Sequence, residues 1–391
     1  MADSQQIEKC RIGNRRVDVP MNREYDLPSP VPGDGDSMSV NSLLERVQRE
    51  GTPLIDGDQV TFVWHGSDPP LLRGDFNDWN PETGPRWQTQ GRDLYVCHLA
   101  FPPDAYLEYC YGPDNDRMAD PFNQRRVNNG FGQYNHFFYL PPGAPTPLTR
   151  RQRSVSHGTV SHHVVDTGHL ALGSQRAVTL YQPPVREACP LLVVYDGADY
   201  YRRAGLANTV DNLLGGNRIR PVALAFVANA GHKGRLVEYG CCEGPLLFLL
   251  GRVLPLSYQV LHLLDPTTQP GMFAVMGASM GGLMALYTAL RLPHLFGHVL
   301  SQSGAFQLDG HETVTFSLVR DGAVNPVRIW MDVGKYEWLL EPNRKMHALL
   351  QSRGYAVSYR EYPGGHNYTA WSNDLWRGLE HLFPPLVAPD R

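Results

Sequence analysis

The second half of the chain contains apolar runs that lack polar alternation. Four of these runs occupy residues 191–195, 222–227, 272–276 and 327–333. Strands without polar alternation are typical of a parallel sheet covered by helices, because neither face of such a sheet meets water. Helical patterns separate the runs, so this half of the chain predicts a doubly wound α/β domain.

The first half follows a different pattern, in which short strands mix apolar and polar positions. Clusters of Gly, Pro, Asn and Asp separate these strands, which predicts a small antiparallel β-sandwich. The predicted strands cover residues 60–64, 93–100 and 106–111. Before them a short helix is expected, with Asn41 or Ser42 as its N-cap and Gly51 as its end.

Changes of composition divide the chain into four predicted segments. Residues 1–37 are rich in Pro, Gly and Asp, which predicts an extended or flexible leader. The sandwich domain is expected at 38–140, and a Pro- and Arg-rich linker at 141–156. The α/β domain then covers 157–391. A length of 391 residues agrees with more than one domain.

Composition excludes several classes of function. Hydrophobic residues make up 42% of the chain and charged residues 19%, and the formal net charge is −4. These values predict a globular protein with no affinity for nucleic acid or acidic membranes. The sequence contains no apolar stretch of about 18 residues and no secretory signal pattern, so we expect a cytoplasmic protein. The 6 cysteines match no zinc-site spacing, so no metal is expected.

The strongest chemical motif is the serine turn Gly277-Ala278-Ser279-Met280-Gly281. It fits G-x-S-x-G, a pattern that becomes specific only when a buried strand precedes it and a helix follows. The apolar run 272–276 supplies the strand. Apolar positions at helical spacing then follow at Leu283, Leu286, Tyr287 and Leu290. We therefore predict that Ser279 is a nucleophile on a strained turn, as in α/β-hydrolases.

A serine nucleophile needs a base that accepts its proton, and His366 is the candidate. In α/β-hydrolases the chain order is Ser, acid, His. His366 lies in the sequence 362–367, which we interpret as a loop between a strand at 357–361 and the last helix. That position is where the base of an α/β-hydrolase is expected.

The acid is expected near the end of the strand at 327–333. Glu337 follows the carboxyl end of that strand, where functional residues collect in this fold. Asp332, inside the strand, and Glu341, one turn later, are the alternatives. A carboxylate in this role holds the imidazole tautomer and stabilises imidazolium.

Backbone N–H groups are expected to stabilise the oxyanion of the reaction. One is the N–H of Met280, at the start of the helix after Ser279. The other is the N–H of Ala198, in a predicted tight turn after the strand at 191–195; a turn without a catalytic contact is the alternative. Contacts with the substrate are predicted for Gly197, Asp199, Arg235 and Trp371.

These motifs resemble the esterase D-like group, specifically the enterochelin (ferric enterobactin) esterase-like proteins. The resemblance covers residues 155–385 and implies a Ser279–Glu337–His366 triad. Related mycolyltransferases place an oxyanion donor after the Asp-Gly pair, which supports Ala198. The family often has Asp where this chain has Glu337, and some of its siderophore esterases work with a Ser–His pair, which is the alternative. The matching stretches are residues 194–197, 235–239, 254–255, 277–282, 301–304, 333–337 and 364–367.

The first domain resembles Ig-like early-set modules, a group that includes glycogen-binding domains. The resemblance depends on Gly74-Asp75-Phe76-Asn77-Asp78-Trp79 and on residues 119–123. Trp79 and Trp87 are candidates for stacking on a sugar. We favour instead that Trp64, Phe76 and Trp79 pack in the core and that the module shapes the esterase pocket.

The sequence as a whole predicts a carboxylic-ester hydrolase that acts through a serine acyl-enzyme, without a cofactor. Small acyl or aryl esters are the favoured substrates, and a siderophore trilactone of the enterobactin type is the alternative. Arg202, Arg203 and Arg235 are the candidates for binding such an anionic complex. Two other functions stay open: a carbohydrate-binding protein with an inactive hydrolase domain, and acyl transfer to an alcohol. A homo-oligomer is also compatible with the sequence.

Overall fold

The chain divides into two compact units in a computed structural model. The structure describes residues 7–12, 15–20, 39–113, 116–130 and 132–385. The first unit contains residues 1–145 together with two short later segments, Gly334–Trp338 and Tyr362–Asn367. The second unit contains Thr146–Val333, Leu339–Glu361 and Tyr368–Arg391.

The first unit is built mainly of antiparallel strands. A four-stranded sheet has the order β3-β4-β7-β6, and β5, β8, β10 and β9 form a second antiparallel set. Its elements are β1 (Ile7–Ile12), β2 (Arg15–Pro20), α1 (Val40–Glu50), β3 (Leu54–Asp56), β4 (Gln59–His65), β5 (Leu72–Gly74), β6 (Gln88–Thr89), β7 (Leu94–Ala100), β8 (Tyr106–Tyr111), β9 (Arg126–Asn128) and β10 (Tyr134–Tyr139).

The two sets of strands share one apolar core. Phe62 of β4 has its ring centroid 5.0 Å from that of Tyr109 on β8 and 5.8 Å from that of Phe138 on β10. Phe76 and the half-buried Trp64 join this core as expected. Trp79 was expected in the same core, but it lies half-buried beside it, where its indole N–H donates to Asp75. The Ig-like topology of this module stays a prediction.

Helix α1 begins one turn earlier than the sequence suggests. Its N-cap is Ser39, whose hydroxyl accepts from the N–H of Ser42, and Gly51 ends it with a φ of 81°. The expected caps Asn41 and Ser42 both lie inside the helix, because an equivalent serine precedes them.

Within the predicted leader, β1 and β2 pair as an antiparallel two-stranded sheet, an element that the sequence does not predict. The rest of residues 1–37 lies outside the described residues.

The strands of the second unit are β11 (Thr159–Asp166), β12 (Gln175–Gln182), β13 (Leu191–Val194), β14 (Ala223–Val227), β15 (Phe273–Ala278), β16 (Phe296–Gln302), β17 (Gln307–Leu308), β18 (His311–Glu312), β19 (Arg328–Tyr336) and β20 (Ala356–Gly365). Strands β17 and β18 pair with each other, and the others form a mostly parallel sheet with the order β11-β12-β14-β13-β15-β16-β19-β20. The helices of this unit are α2 (Gly197–Arg202), α3 (Leu206–Gly215), α4 (Gly231–Tyr239), α5 (Glu243–Phe248), α6 (Leu254–Val260), α7 (Met280–Arg291), α8 (Val314–Asp321), α9 (Leu340–Ser352) and α10 (Tyr368–Leu382).

All four apolar runs form strands, namely β13, β14, β15 and β19. They lie within one parallel set that also includes β16. Successive side chains of β13 alternate between the two faces, and Leu191 and Val193 join the core that contains α7. On α10, a Cβ at Gly378 would lie 2.6 Å from Leu300 of β16, so this helix packs closely on the sheet. The unit therefore has the predicted α/β-hydrolase architecture.

In the described part of the chain no single helix is long and apolar enough to cross a membrane. The bent pair Gly231–Tyr239 and Glu243–Val260 has a sufficient length and apolar composition only when its two helices are taken together.

Candidate active site

Ser279 occupies a tight turn between β15 and α7. Its φ is 58° and its ψ −123°, a conformation that costs energy for a residue with a side chain. Hydrogen bonds hold the strained backbone on both sides. The N–H of Ser279 donates to the carbonyl of Gln302 at 2.9 Å, and the N–H of Ala305 donates to the Ser279 carbonyl at 3.0 Å. The strand, turn and helix that the motif requires are therefore present around this serine.

Glycines make the turn sterically feasible. A Cβ at Gly277 would lie 2.5 Å from the backbone of Gly281, so neither chain segment has space for a side chain at position 277. Helix α7 then begins at Met280, and its N-terminal N–H groups point toward the turn. The sequence suggests one apolar face for this helix, but every residue from Met280 to Leu290 is buried.

His366 contacts a buried carboxylate. Its Nδ1 makes a short hydrogen bond to Oε2 of Glu337, whose relative exposure is 1%. The other carboxylate oxygen, Oε1, accepts from the N–H of Gly334 at 2.6 Å. The indole of Trp338 packs against the imidazole, with ring centroids 4.5 Å apart. Because Glu337 uses Nδ1, Nε2 is the nitrogen suited to accept a proton from a nucleophile.

The backbone before His366 differs from the prediction. Residues 362–365 were interpreted as part of a loop, but β20 continues through them to Gly365. Gly364 pairs with Tyr106 of β8, which extends the strand beyond the end of its apolar pattern. Pro and Gly residues suggested a loop here, and tertiary pairing overrides that local preference.

The two alternative acids have other partners. Oδ2 of Asp332 accepts from the indole N–H of Trp330 at 2.8 Å, and Asp332 is fully buried within β19. Glu341 lies on α9, where it forms an exposed ion pair with Arg344 at 2.6 Å. Of the three candidate acids, Glu337 is therefore the one that contacts His366.

Ala198 lies in the first turn of the short helix α2, which continues directly from the predicted tight turn: the N–H of Asp199 donates to the carbonyl of Asp196 at 3.0 Å. Asp196 has a φ of 53° and precedes α2 as its N-cap residue. Gly197 packs so closely on β14 that a Cβ would overlap the backbone of Phe226 and Val227. Asp199 forms an ion pair with Arg203 at 3.4 Å. Substrate contacts at Gly197 and Asp199 stay predictions. The close packing on β14 is by itself a sufficient reason for a glycine at position 197.

Arg235 contacts the turn before α2, and its predicted contact with the substrate stays a prediction. Its Nε and Nη2 donate to the two carboxylate oxygens of Asp196 at 2.8 and 2.7 Å. Nη2 also lies 3.2 Å from the carbonyl oxygen of Ala278, the residue before Ser279. The guanidinium thus ties the Asp196 turn to the end of β15. The paired carboxylate neutralises the charge of this arginine.

Trp371 does not fit the predicted substrate contact. Only 4% of the residue is exposed, and its indole N–H donates to Oγ of Ser303 at 2.9 Å. Its carbonyl accepts from Nε2 of Gln302 at 3.2 Å. We therefore correct its assignment to core packing, since an amphipathic indole in α10 turns its polar edge inward.

Three tyrosines around Asp196 stay uncharged. Burial raises the pKa of Tyr239, Tyr200 and Tyr368 well above the ordinary value, and nearby carboxylates such as Asp196 raise it further. Tyr239 accepts a hydrogen bond from the N–H of Asp196 at 3.2 Å. The hydroxyl groups of Tyr239 and Tyr200 therefore contribute hydrogen bonds, and all three tyrosines carry no charge at neutral pH.

Two polar residues of this region escape prediction from sequence. Oε1 of Gln302 accepts from the hydroxyl of Tyr200 at 2.9 Å, while the Gln302 carbonyl holds the Ser279 backbone. Asp196 accepts from Asn229 at 2.7 Å as well as from Arg235. Both Gln302 and Asp196 lie in stretches that match the esterase motifs, and this match is the sequence feature that could have indicated their importance.

The described residues contain no group of three or more His, Cys, Asp or Glu side chains that could hold a metal ion.

The sheet order and the turn at Ser279 define an α/β-hydrolase. Residues 170–382 match the esterase family described as "Putative esterase", and the chain belongs to this family. It is therefore a hydrolase of the kind that acts on esters.

Comparison with known proteins identifies siderophore esterases as similar chains. The iron(III) enterobactin esterase of Dickeya dadantii is 27% identical in an alignment that covers 91% of this chain and 94% of the relative. The iron(III) salmochelin esterase of Escherichia coli O6:H1 is 27% identical, over 83% of this chain and 87% of the relative. The crystal structure of ferric enterobactin esterase from Salmonella typhimurium has a TM-score of 0.70 at 21% identity, covering 84% of this chain and 95% of that one. The last likeness shows the shared fold.

Proposed function

We propose that this protein hydrolyses carboxylic esters through a serine acyl-enzyme, with Ser279 as nucleophile, His366 as base and Glu337 as acid. The observation that carries the proposal is the contact between Nδ1 of His366 and the buried carboxylate of Glu337. An imidazole oriented in this way is the usual partner of a serine on a strand-turn-helix motif. Membership in the esterase family and the chain order Ser, Glu, His support the same assignment.

In the proposed reaction Oγ of Ser279 attacks the ester carbonyl carbon while Nε2 of His366 takes its proton. The tetrahedral oxyanion accepts hydrogen bonds from the N–H groups of Met280 and Ala198. Imidazolium then returns the proton to the departing alcohol, and an acyl-Ser279 ester remains. Water, deprotonated by His366, attacks this ester and releases the carboxylic acid.

A covalent probe tests whether Ser279 is activated. We expect a fluorophosphonate to modify Ser279 with loss of fluoride, because the probe captures serines whose proton is withdrawn by a base. Peptide mass spectrometry should locate the adduct at position 279. In His366→Ala the labelling rate should fall by at least about 100-fold, since the base is missing. An adduct on another serine, or equal labelling of both proteins, would refute the assignment.

Two classes of ester are candidates for the substrate. The similarity to enterobactin and salmochelin esterases along nearly the whole chain supports a catecholate trilactone. The charges near the proposed site favour a small neutral acyl or aryl ester. Arg235 is paired with Asp196, and Arg203 is paired with Asp199 and stacks on the Tyr368 ring at 4.4 Å. Two of the three candidate arginines therefore already have a negative partner.

Comparison of turnover among esters separates these substrate classes. We expect measurable kcat/KM for short p-nitrophenyl esters and hydroxycinnamoyl esters. If the substrate is the one that the similar siderophore esterases suggest, kcat/KM for the iron-loaded catecholate trilactone should exceed the values for both other esters by about 100-fold. This corresponds to a difference of about 3 kcal/mol in transition-state binding. The metal-free trilactone is the control for recognition of the anionic complex. Release of serine-linked catechol fragments, measured by chromatography, reports cleavage of the trilactone.

Two different functions would replace this proposal if turnover is absent or if the product is different. For a carbohydrate-binding protein, Trp79 and Trp87 would need accessible rings. Trp87 instead packs against Tyr111 and donates to the carbonyl of Pro70 at 2.7 Å. Retention on immobilised polysaccharide without ester turnover would favour sugar binding. Formation of a new ester with an added alcohol would identify acyl transfer.

A further inference from the structure

Asp75 is a buried carboxyl group at the end of β5, within the sequence Gly74–Trp79. It begins a short 3₁₀ turn, and its relative exposure is 3%. Oδ2 accepts from the N–H of Glu108 on β8 at 2.8 Å, and Oδ1 accepts from the indole N–H of Trp79 at 3.1 Å. The side chain therefore points into the first unit and away from any exposed sugar-binding surface.

The residues on both sides of His366 contact this carboxyl group. Nδ2 of Asn367 lies 3.3 Å from Oδ2 of Asp75. On the other side, a Cβ at Gly365 would overlap the carboxyl group of Asp75, so the Gly365 backbone lies directly against it. Gly365, His366 and Asn367 all belong to the first compact unit, together with Asp75.

We propose that Asp75 is a positioning residue, which fixes the backbone around His366 so that the imidazole keeps its contact with Glu337. This inference rests on the proposed function, because it assigns Asp75 a role through His366. Gly365 and Asn367 place one contact before and one after the histidine, and they thereby limit rotation and translation of its backbone. Asp75, within the motif Gly74–Trp79, then has a role in the esterase reaction.

Strand β8, which donates the Glu108 N–H to Asp75, also contacts the segment before His366. Glu108 is 3% exposed, and its oxygens accept from the Tyr106 hydroxyl at 2.9 Å and from Nδ2 of Asn135 at 2.7 Å. Tyr106 in turn pairs through its backbone with Gly364, two residues before His366. The strand that carries Glu108 therefore holds the same segment of chain from a second direction.

The protonation of Asp75 suggests a conservative replacement. Burial raises the pKa of Asp75 well above its ordinary value, and the nearby Glu108 raises it further, while hydrogen bonds from Glu108 N–H and Trp79 oppose the shift without reversing it. These effects favour the neutral carboxyl group. Asparagine has nearly the shape of that neutral group and keeps an oxygen acceptor, whereas alanine keeps neither.

The test compares Asp75→Ala, Asp75→Asn and a control, Asn77→Ala, in the full-length protein. We expect Asp75→Ala to lower kcat by about 10- to 100-fold with KM within about twofold, because the base is displaced while the substrate surface is retained. Asp75→Asn should recover kcat to within about fivefold of the wild type. Asn77 caps the same turn through the N–H of Gly74 at 2.9 Å, so its variant should lower Tm without changing kcat of the folded protein.

A wild-type kcat in folded Asp75→Ala, or equal losses in Asp75→Ala and Asp75→Asn, would overturn the inference. If Asp75→Ala fails to fold, Asn367→Ala removes one of the two contacts and should lower kcat several-fold at constant KM. An unchanged kcat in that variant would be equally contradictory. Ser279→Ala distinguishes the two levels: wild-type turnover there removes the proposed function itself, whereas its inactivity beside a normal Asp75→Ala removes only the role of Asp75.

Discussion

Ser279→Ala is expected to lower kcat by about 10⁵- to 10⁶-fold for every ester that the wild type hydrolyses, the loss typical of removing a triad nucleophile. The reason is chemical, since alanine has no oxygen that could form the acyl-enzyme. The strained turn, with a φ of 58° at position 279, should keep its backbone contacts to Gln302 and Ala305. KM should therefore change little, and single-turnover kinetics should detect no covalent intermediate.

Ser301→Ala is the matched control for this substitution. Ser301 is a fully buried serine on β16, and a Cβ added at Gly282 would lie 2.7 Å from its Oγ, so it belongs to the same part of the fold. Its replacement should leave kcat within about twofold, because the residue has no place in the proposed chemistry. Wild-type turnover by Ser279→Ala, or an equal loss in Ser301→Ala, would contradict a serine acyl-enzyme at position 279.

The central strands of the second unit are predictable from sequence because burial on both faces requires continuous apolar runs, which are visible locally. The runs that become β13, β14 and β15 are apolar throughout, and the run that becomes β19 is interrupted by Arg328 and Asp332. Each predicted strand is present within a few residues. In contrast, β11 lies at the edge of the sheet and alternates exposed with half-buried residues, so its sequence resembles an ordinary polar loop. Strand β16 follows α7 after a short turn, and its apolar residues merge with the end of the helical pattern.

The candidate site is predictable where a residue is bound to a recurring element. Ser279 has a strand-turn-helix motif, and both Glu337 and His366 directly follow strands. The partners that hold these elements are not predictable in this way. Arg235 and Asp196 are 39 residues apart, and Asp75 and Asn367 are 292 residues apart. Such pairs form through tertiary folding, so no periodicity or local composition marks them.

The second large effect is expected for Glu337→Gln, a substitution that preserves size and removes the charge. We predict a fall in kcat of about 10³- to 10⁴-fold. Glu337 is 1% exposed and contacts Nδ1 of His366, so its carboxylate holds the tautomer that has its proton on Nδ1. A glutamine amide can turn its NH₂ group toward that nitrogen and favour the opposite tautomer, in which Nε2 is protonated and cannot act as a base. It also no longer stabilises imidazolium in the transition state.

Glu341→Gln provides the control, because Glu341 was an alternative acid on sequence grounds and its partner is the exposed Arg344. We expect its kcat to stay within about twofold of the wild type. Steady-state kinetics on one p-nitrophenyl ester, together with unfolding midpoints, compares the two variants directly. A normal kcat in Glu337→Gln would show that Ser279 and His366 act as a pair without a third group. A large loss of kcat in Glu341→Gln would instead place the acid on α9, because removal of the carboxylate that orients the imidazole must weaken the base.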